Sequence, residues 1–203
     1  SITYIASQAF AYCASLETIT LPPNLKELGT EVFQGTGIQS ITIPKTVTEC
    51  SWNGAFHGAN SLKKVIFEDG METIPDWCLY ESTVSEVVIP GTVTRIGKCA
   101  FADCKNIEEI TLPSGITELG VDSFSGCTSL KEITLPSGTT ELGAGSFSGC
   151  TSLKEIDIPK GVKEIQESMF SGCAMLNRVG IEENDSITYI ASQAFAYCAS
   201  LET

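Results

Sequence analysis

Cysteines are the residues of this sequence that could most readily support redox or metal chemistry. Nine occur among 203 residues, and six share one position of a recurring pattern: Cys13, Cys104, Cys127, Cys150, Cys173 and Cys198. Neighbours at that position are expected about 5 Å apart, which alone would permit some bridges. The position also accepts Thr36, Ala59 and Ser82, however, and the C-x4-C at Cys99 and Cys104 lacks a second pair or a histidine partner. We therefore expect small, buried, reduced thiols.

Other catalytic and metal-binding signatures are weak or missing. The single histidine, His57, lies in an F-x-G-type turn, and no second histidine could complete a metal site. The sequence contains no nucleophile elbow, phosphate loop or H-E-x-x-H motif. We expect the segment from Ser123 to Cys127 to form a turn that packs in the core. We expect His57 to be a turn residue exposed to solvent. We predict a protein that is not an enzyme and that needs no cofactor and no metal.

The recurring cysteines belong to an internal repeat of about 23 residues. Residues 114–136 read SGITELGVDSFSGCTSLKEITLP, and residues 137–159 read SGTTELGAGSFSGCTSLKEIDIP. The template extends in both directions with small changes of length. The predicted units of one solenoid over residues 1–203 are 1–22, 23–44, 45–69, 70–90, 91–113, 114–136, 137–159, 160–185 and a partial unit 186–203.

Five apolar positions recur in the units, and stacking would turn each position into a buried ladder. The aromatic ladder is Phe10, Phe33, Phe56, Leu79, Phe101, Phe124, Phe147, Phe170 and Phe195. The segment L-x-x-I-x-L-P predicts one short parallel strand per unit, with Ile133 and Leu135 inward and Glu132 and Thr134 outward. The returning segment is predicted to contain an extended piece, a tight turn and at most a single helical turn.

The unit resembles the BspA-type leucine-rich repeat. The resemblance rests on the length of about 23 residues and on the string I/L-G-x-x-S/A-F-x-G-C-x-x-L-x-x-I-x-L-P, and it covers essentially the whole chain. It implies a right-handed leucine-rich-repeat solenoid, mostly β and loop with little helix. It also implies a bacterial secreted or cell-surface protein, because members of the family are typically secreted or anchored at the surface. Some members bind host matrix proteins such as fibronectin and fibrinogen.

Two units depart from the template. Unit 45–69 has Cys50-Ser51-Trp52 where the template has I/L-G, and it carries an extra residue before Phe56. Unit 70–90 has Ile74-Pro75-Asp76-Trp77, and Leu79 replaces the phenylalanine. Trp52 and Trp77, the two tryptophans, could therefore be contact residues for a partner or plugs that repack the core around the irregularity.

The composition limits the classes of partner. The net charge of −13 disfavours nucleic acids and anionic membrane surfaces. The apolar runs are only a few residues long, so no membrane insertion is predicted. The chain starts within the repeat pattern and lacks a signal sequence, so we expect a fragment of a protein located outside the cell or on its surface.

The outward side of the predicted strands offers a candidate binding surface. It carries a column of glutamates flanked by two cations, and beside it a small apolar spot. The candidate partner-binding residues are Glu86, Glu109, Glu132, Glu155, Lys64, Arg178, Ile66, Val88, Trp52 and Trp77. The column could meet a basic or mixed protein surface, or it could be a solvated face. The function predicted is an adhesin-like protein-binding scaffold that contacts extracellular host proteins; the alternative is a structural spacer without a specific ligand.

The two ends of the sequence are identical. Residues 186–203 repeat residues 1–18 without a change, at an offset of eight units. This identity could reflect a natural duplication or an engineered boundary. No polar capping segment is evident, so we expect end-to-end self-association with a second copy. Asn184-Asp185-Ser186 forms a glycosylation sequon between units, which a chance match would explain.

Overall fold

Two rows of short strands run along a stacked solenoid. The computed structural model describes residues 2–181 and 186–202, so the Asn184-Asp185 part of the sequon lies outside the described residues. The strands are β1 Tyr4–Ile5, β2 Glu27–Leu28, β3 Ser40–Ile43, β4 Glu49–Cys50, β5 Lys64–Phe67, β6 Thr73–Ile74, β7 Glu86–Val88, β8 Arg95–Ile96, β9 Glu118–Leu119, β10 Glu141–Leu142, β11 Glu155–Asp157, β12 Glu164–Ile165, β13 Arg178–Gly180 and β14 Tyr189–Ile190.

The first strand row is the one that the sequence predicts, but among residues 2–181 and 186–202 its strands form in five units and not in every unit. It comprises β3, β5 and β7, which pair in that order, and β11 paired with β13; all pairs are parallel. Equivalent residues of successive units lie opposite each other, as Ile41 lies opposite Val65. Ile133 and Leu135 are buried while Glu132 and Thr134 are exposed, which confirms the predicted alternation. The leucine-rich-repeat solenoid is therefore confirmed.

The second strand row was predicted only as an extended piece. It comprises β1-β2-β4, β6-β8-β9-β10 and β12-β14, again parallel and in register from unit to unit. Each member is two residues long, too short to show a period-two pattern in the sequence. A typical unit therefore has two extended sides rather than one.

The segment after the second row turns twice instead of forming a helical turn. In each unit the two turn residues have positive φ, for example 53° at Asp122 and 71° at Gly126. Residues 2–181 and 186–202 contain no helix. Left-handed residues cannot continue a right-handed helical turn, which explains why none forms here.

A stacked aromatic ladder occupies the core. Neighbouring rings lie nearly parallel, with centroids 5.1 Å apart for Phe101 and Phe124 and 5.8 Å apart for Phe124 and Phe147. Leu79 fills the same position in unit 70–90 and is fully buried. At about 1.5–3 kcal/mol for each large side chain buried, such ladders make neighbouring units the main source of each unit's stability.

Glycines at the end of the second-row strands allow the units to stack closely. A Cβ added to Gly120 would lie 2.7 Å from the backbone carbon of Gly97, and one added to Gly143 would overlap the backbone nitrogen of Val121. Because backbone atoms cannot yield as a flexible side chain can, this position needs glycine for steric reasons.

Candidate functional site

The glutamate column lies on the first strand row, as predicted. At its end with the lowest residue numbers, a lysine neutralises the charge of the first glutamate. Lys64 and Glu86 are register partners on β5 and β7, and the Lys64 ammonium group forms a salt bridge with the Glu86 carboxylate. Both side chains are substantially exposed, so the pair contributes at most about 1 kcal/mol to stability. Lys64 therefore leaves Glu86 less available to a cationic partner.

At the end of the column with the highest residue numbers, two carboxylates share one arginine. Arg178 on β13 lies opposite Glu155 on β11, with 3.4 Å between a guanidinium nitrogen and the Glu155 carboxylate. The other terminal nitrogen of Arg178 lies 2.7 Å from the Asp157 carboxylate. Both flanking cations thus engage the outer members of the column.

The middle of the column holds Glu109 and Glu132, and the geometry there differs. These two residues face each other in an isolated parallel bridge where the continuous strand pairing is interrupted. In the described part of the chain neither carboxylate has a cation within 4 Å. Both side chains are exposed, so their charge is directed to solvent.

A groove opens next to these two carboxylates. Its volume is about 420 Å³. Glu109 and Glu132 lie at its wall together with Thr111 and Thr134, while Ile110 and Ile133 contribute apolar surface. A groove with hydroxyls, an apolar floor and two carboxylates could accommodate an extended peptide segment bearing a basic side chain. The sequence predicted the charges but not the groove.

The small apolar spot is present near the irregular units. Ile66 and Val88 are register partners on β5 and β7, so the structure brings them together. Val88 is 41% exposed, whereas Ile66 is half-buried rather than exposed. The spot directly adjoins the Lys64–Glu86 pair and is smaller than the sequence suggested.

The tryptophans lie apart from the glutamate column. Trp52 follows β4 and Trp77 follows β6, so both belong to the turns after the second strand row. Trp52 is 72% exposed and is therefore not a core plug. Trp77 is half-buried. Its ring contacts the Tyr80 ring, with the two centroids 5.1 Å apart, and the Lys98 ammonium nitrogen lies 5.6 Å from the centroid of the Trp77 ring. The structure does not combine these residues and the glutamates into one site.

The cysteine position has a structural explanation. The nine cysteines are free thiols. The Cys127 thiol donates a hydrogen bond to the Phe101 carbonyl oxygen at 3.2 Å, and the Cys150 thiol donates to Phe124 in the same way. Burial raises the pKa of the Cys127 thiol to about 12, so it remains protonated at neutral pH. A protonated buried thiol is a poor nucleophile and a poor metal ligand.

His57 is more constrained than the sequence indicated. Its Nδ1 lies 3.0 Å from a Glu31 carboxylate oxygen and its Nε2 lies 3.1 Å from a Glu81 carboxylate oxygen, so it bridges three successive units. The pKa of Glu31 is lowered, first by a hydrogen bond from Gln8 and then by the one with His57. The predicted turn position is confirmed, and the side chain is 32% exposed. The sequence did not indicate the two carboxylates that the neighbouring units place beside the ring.

A second groove, of about 680 Å³, lies on the second strand row. Glu141, Lys163 and Glu164 contribute to its walls beside Gly120 and Gly143. The sequence feature in this region is the recurring glycine at Gly120 and Gly143, and the close packing of neighbouring units explains it without a ligand. The acidic residues of this groove provide a matched control for charge changes on the first strand row.

Among residues 2–181 and 186–202, no group of three or more His, Cys, Asp or Glu side chains is arranged to hold a metal ion. Over the same residues, no helix has the length and apolar character required to cross a bilayer.

Comparison with known proteins assigns the family. The model of the BspA type leucine rich repeat region matches residues 1–108 and 94–203, in six copies. A leucine-rich repeat protein from Bacteroides ovatus is similar over 99% of this chain, with a TM-score of 0.73 and 29% identity. This chain spans 57% of the length of that protein. No curated protein matches the sequence.

More distant structures share the fold alone. The T. pallidum leucine-rich repeat protein TpLRR is 22% identical with a TM-score of 0.64, covering 98% of this chain and 82% of its own. The pneumococcal vaccine antigen PcpA is 20% identical with a TM-score of 0.53, covering 96% of this chain and 62% of its own. With the repeat pattern, the two strand rows and the family match in agreement, the chain belongs to the BspA-type leucine-rich repeat family.

Proposed function

We propose that this chain is a non-catalytic protein-binding scaffold whose first strand row contacts a partner with a basic, extended segment. The observation that carries the proposal is the pair Glu109 and Glu132, which flank a groove of about 420 Å³ while the two flanking cations engage the outer glutamates. Leucine-rich repeats present continuous surfaces of this kind to other proteins.

The nature of the partner follows from chemistry and from the family. Lysine or arginine side chains would bond to the two carboxylates, and the backbone of an extended segment could contact Thr111 and Thr134. The relationship to bacterial repeat proteins, one of them a vaccine antigen, supports a location outside the cell or on its surface. An adhesin that binds fibronectin or fibrinogen is the specific form of this proposal.

A pull-down with immobilised matrix proteins tests it. We expect the unmodified chain to be retained, and a variant with Glu86, Glu109, Glu132 and Glu155 changed to lysine to be lost from the bound fraction. Retention of this variant at the wild-type level would remove the glutamate column from the binding surface. Failure of the unmodified chain to bind would favour the alternative, a structural spacer.

We further propose that the chain associates end to end with a second copy. Apolar side chains are exposed at both ends of the solenoid, including Ile2 and Tyr12 at one end and Ile190 and Tyr197 at the other. Sedimentation velocity tests this proposal, because the average mass should rise with concentration above the 21.6 kDa of one chain. A mass that does not change with concentration would contradict it.

A further inference from the structure

Two cysteines lie outside the recurring cysteine position, in the two units that depart from the template. Cys50 ends β4, where the other units have isoleucine or leucine, and Cys78 directly precedes Leu79. The thiols of Cys50 and Cys78 are in hydrogen-bonding contact with each other. Cysteines of the recurring position donate instead to backbone carbonyl oxygens, as Cys104 does to Leu79 at 3.0 Å. Cys50 and Cys78 are therefore a pair of a different kind.

The backbone segments that carry these two thiols also lie in direct contact. A Cβ added to Gly54 would lie 2.6 Å from the Tyr80 carbonyl oxygen and 3.5 Å from the Trp77 carbonyl oxygen. Cys78 belongs to the buried hydrophobic core, and Cys50 packs against that core. The contact between the thiols thus follows from the stacking of the two irregular units on each other.

One backbone hydrogen bond that recurs in the second strand row cannot form between the two irregular units. The residue after a second-row strand donates its N–H to the preceding unit, as Ser51 does to the Leu28 carbonyl oxygen at 2.9 Å. Gly97 donates to Ile74 in the same way, also at 2.9 Å. Pro75 occupies this position after β6, and proline has no N–H. Accordingly, β4 and β6 belong to different sheets.

The two thiols differ in their access to solvent and in their acidity. Cys50 is half-buried, whereas Cys78 is fully buried. The hydrogen bond with Cys50 and burial both raise the pKa of Cys78 well above its ordinary range, so Cys78 keeps its proton at neutral pH. A reagent from solvent therefore meets Cys50 first, and Cys78 lies where it can react with the product formed there.

We propose that Cys50 and Cys78 are an oxidisable pair that takes a low-molecular-weight disulfide as its oxidant and closes to a disulfide between the two irregular units. The deprotonated Cys50 sulfur attacks one sulfur of the reagent, a mixed disulfide forms, and one reagent thiolate leaves. The Cys78 sulfur then attacks the Cys50 sulfur, and the second reagent thiolate leaves. Each reagent thiolate takes up one proton, so the pair loses two hydrogens and the reagent gains them.

The disulfide links the two irregular units where the second strand row leaves them unpaired. It closes a loop over residues 50–78, which includes β5 of the first strand row. Closing this loop restricts the unfolded chain, so the oxidised protein is the more stable form. A location outside the cell supplies the oxidising conditions that such a bond needs. The chemistry requires only the chain and the reagent, so it is independent of the proposed binding to a partner protein.

Peptide mass spectrometry after treatment with glutathione disulfide tests the pair on the full chain. The sample is alkylated in denaturant and digested without reduction, and we expect a linked peptide pair that contains Cys50 and Cys78. The internal control is Cys127 and Cys150, which lie in successive units and each donate to a carbonyl oxygen. They should remain thiols. Linkage of Cys127 to Cys150 to the same extent would overturn the assignment of a specific pair.

Two single substitutions separate the two steps. Cys78→Ala introduces the residue that Ala55 and Ala100 supply at the equivalent position, so the core packing is preserved. This variant should stop at the glutathione adduct on Cys50. In Cys50→Ala, we expect Cys78 to remain unmodified in the folded protein. A glutathione adduct on Cys78 in that variant would overturn the inference, which requires the first attack at Cys50.

Thermal unfolding measures the effect of the link without any label. We expect the oxidised chain to melt about 5 °C or more above the reduced chain, and Cys78→Ala to show no such gain after the same treatment. Two results would overturn the inference. One is a glutathione adduct on Cys50 of the unmodified chain that never converts to the link with Cys78. The other is a linked form that melts no higher than the reduced form.

Discussion

At the scale of single residues, the repeated cysteine serves packing rather than reactivity. Its thiol donates to a carbonyl oxygen of the preceding unit, and burial keeps the thiol protonated. The same position accepts Thr36, Ala59 and Ser82, of which Thr36 and Ser82 also carry a donor. Small size and a hydrogen-bond donor are the properties common to most members of this position.

Burial predicts an order of thiol labelling. Cys13 is exposed, Cys50 and Cys198 are half-buried, and the other six cysteines are buried. In the folded protein we expect a maleimide to modify Cys13 first and the six buried thiols only after denaturation, as read by mass spectrometry of peptides. Rapid modification of Cys127 in the folded protein would contradict the assignment of a packed, protonated thiol.

The raised thiol pKa values predict a loss of stability in alkali. Folding raises the pKa of Cys127 and Cys173 to about 12 and that of Cys99 to about 11. In the unfolded chain these thiols ionise near their ordinary pKa, so unfolding releases protons above that value. The free energy of unfolding should therefore fall as the pH rises from about 9 towards 12. Denaturant titrations at several pH values measure it; an increase over that range would contradict the burial of these thiols.

At the scale of the repeating element, the sequence predicted what recurs in every unit and missed what depends on backbone geometry. The ladder from Phe10 to Phe195 and the first strand row follow from residue spacing. The left-handed turn residues were missed because Asp122 occupies a position where the next unit has Gly145, and both have positive φ. The glycine that aligns with Asp122 in the next unit is the sequence feature that could have revealed the left-handed turn. The groove beside Glu109 and Glu132 depends on the separation of two backbones, which residue types do not encode.

Close stacking at the glycine position predicts a steric cost. Gly120→Ala would place a Cβ against the backbone of Gly97, and we expect a loss of about 1–3 kcal/mol in the free energy of unfolding. Gly138→Ala is the control, because no atom lies within 4 Å of the place its added methyl group would take and its φ is not positive. Equal effects of both changes on denaturant unfolding would contradict the steric argument.

The strained turn predicts a stabilising change. Asp122 has φ of 53°, and burial raises the pKa of its carboxyl group. Asp122→Gly removes both the left-handed strain and the desolvated charge, so we expect a gain of about 1 kcal/mol at neutral pH. Asp122→Ala removes the charge but keeps a Cβ at positive φ, and it should stabilise the protein less. A thermal melt in which alanine equals or exceeds glycine would contradict the role of strain.

At the scale of the whole molecule, regular stacking separates scaffold from specificity. The units share a core and differ mainly in what they expose, so a binding surface can change without altering the fold. The exposed column on the first strand row runs from Lys64 through the glutamates to Arg178. Its central members, Glu109 and Glu132, form no salt bridge within 4 Å in the described part of the chain. The tryptophans lie on another side and are not required by this account.

The most direct test of the central claim compares two charge reversals that alter net charge equally. Biolayer interferometry would measure binding to immobilised fibronectin and fibrinogen by the unmodified chain, by Glu109→Lys/Glu132→Lys, and by Glu141→Lys/Glu164→Lys on the second strand row. Because loss of a charge-assisted contact costs about 1.5–3 kcal/mol, we predict at least tenfold weaker binding for the first variant alone. Unchanged binding by that variant, with loss in the second, would contradict the claim and place the site on the second strand row.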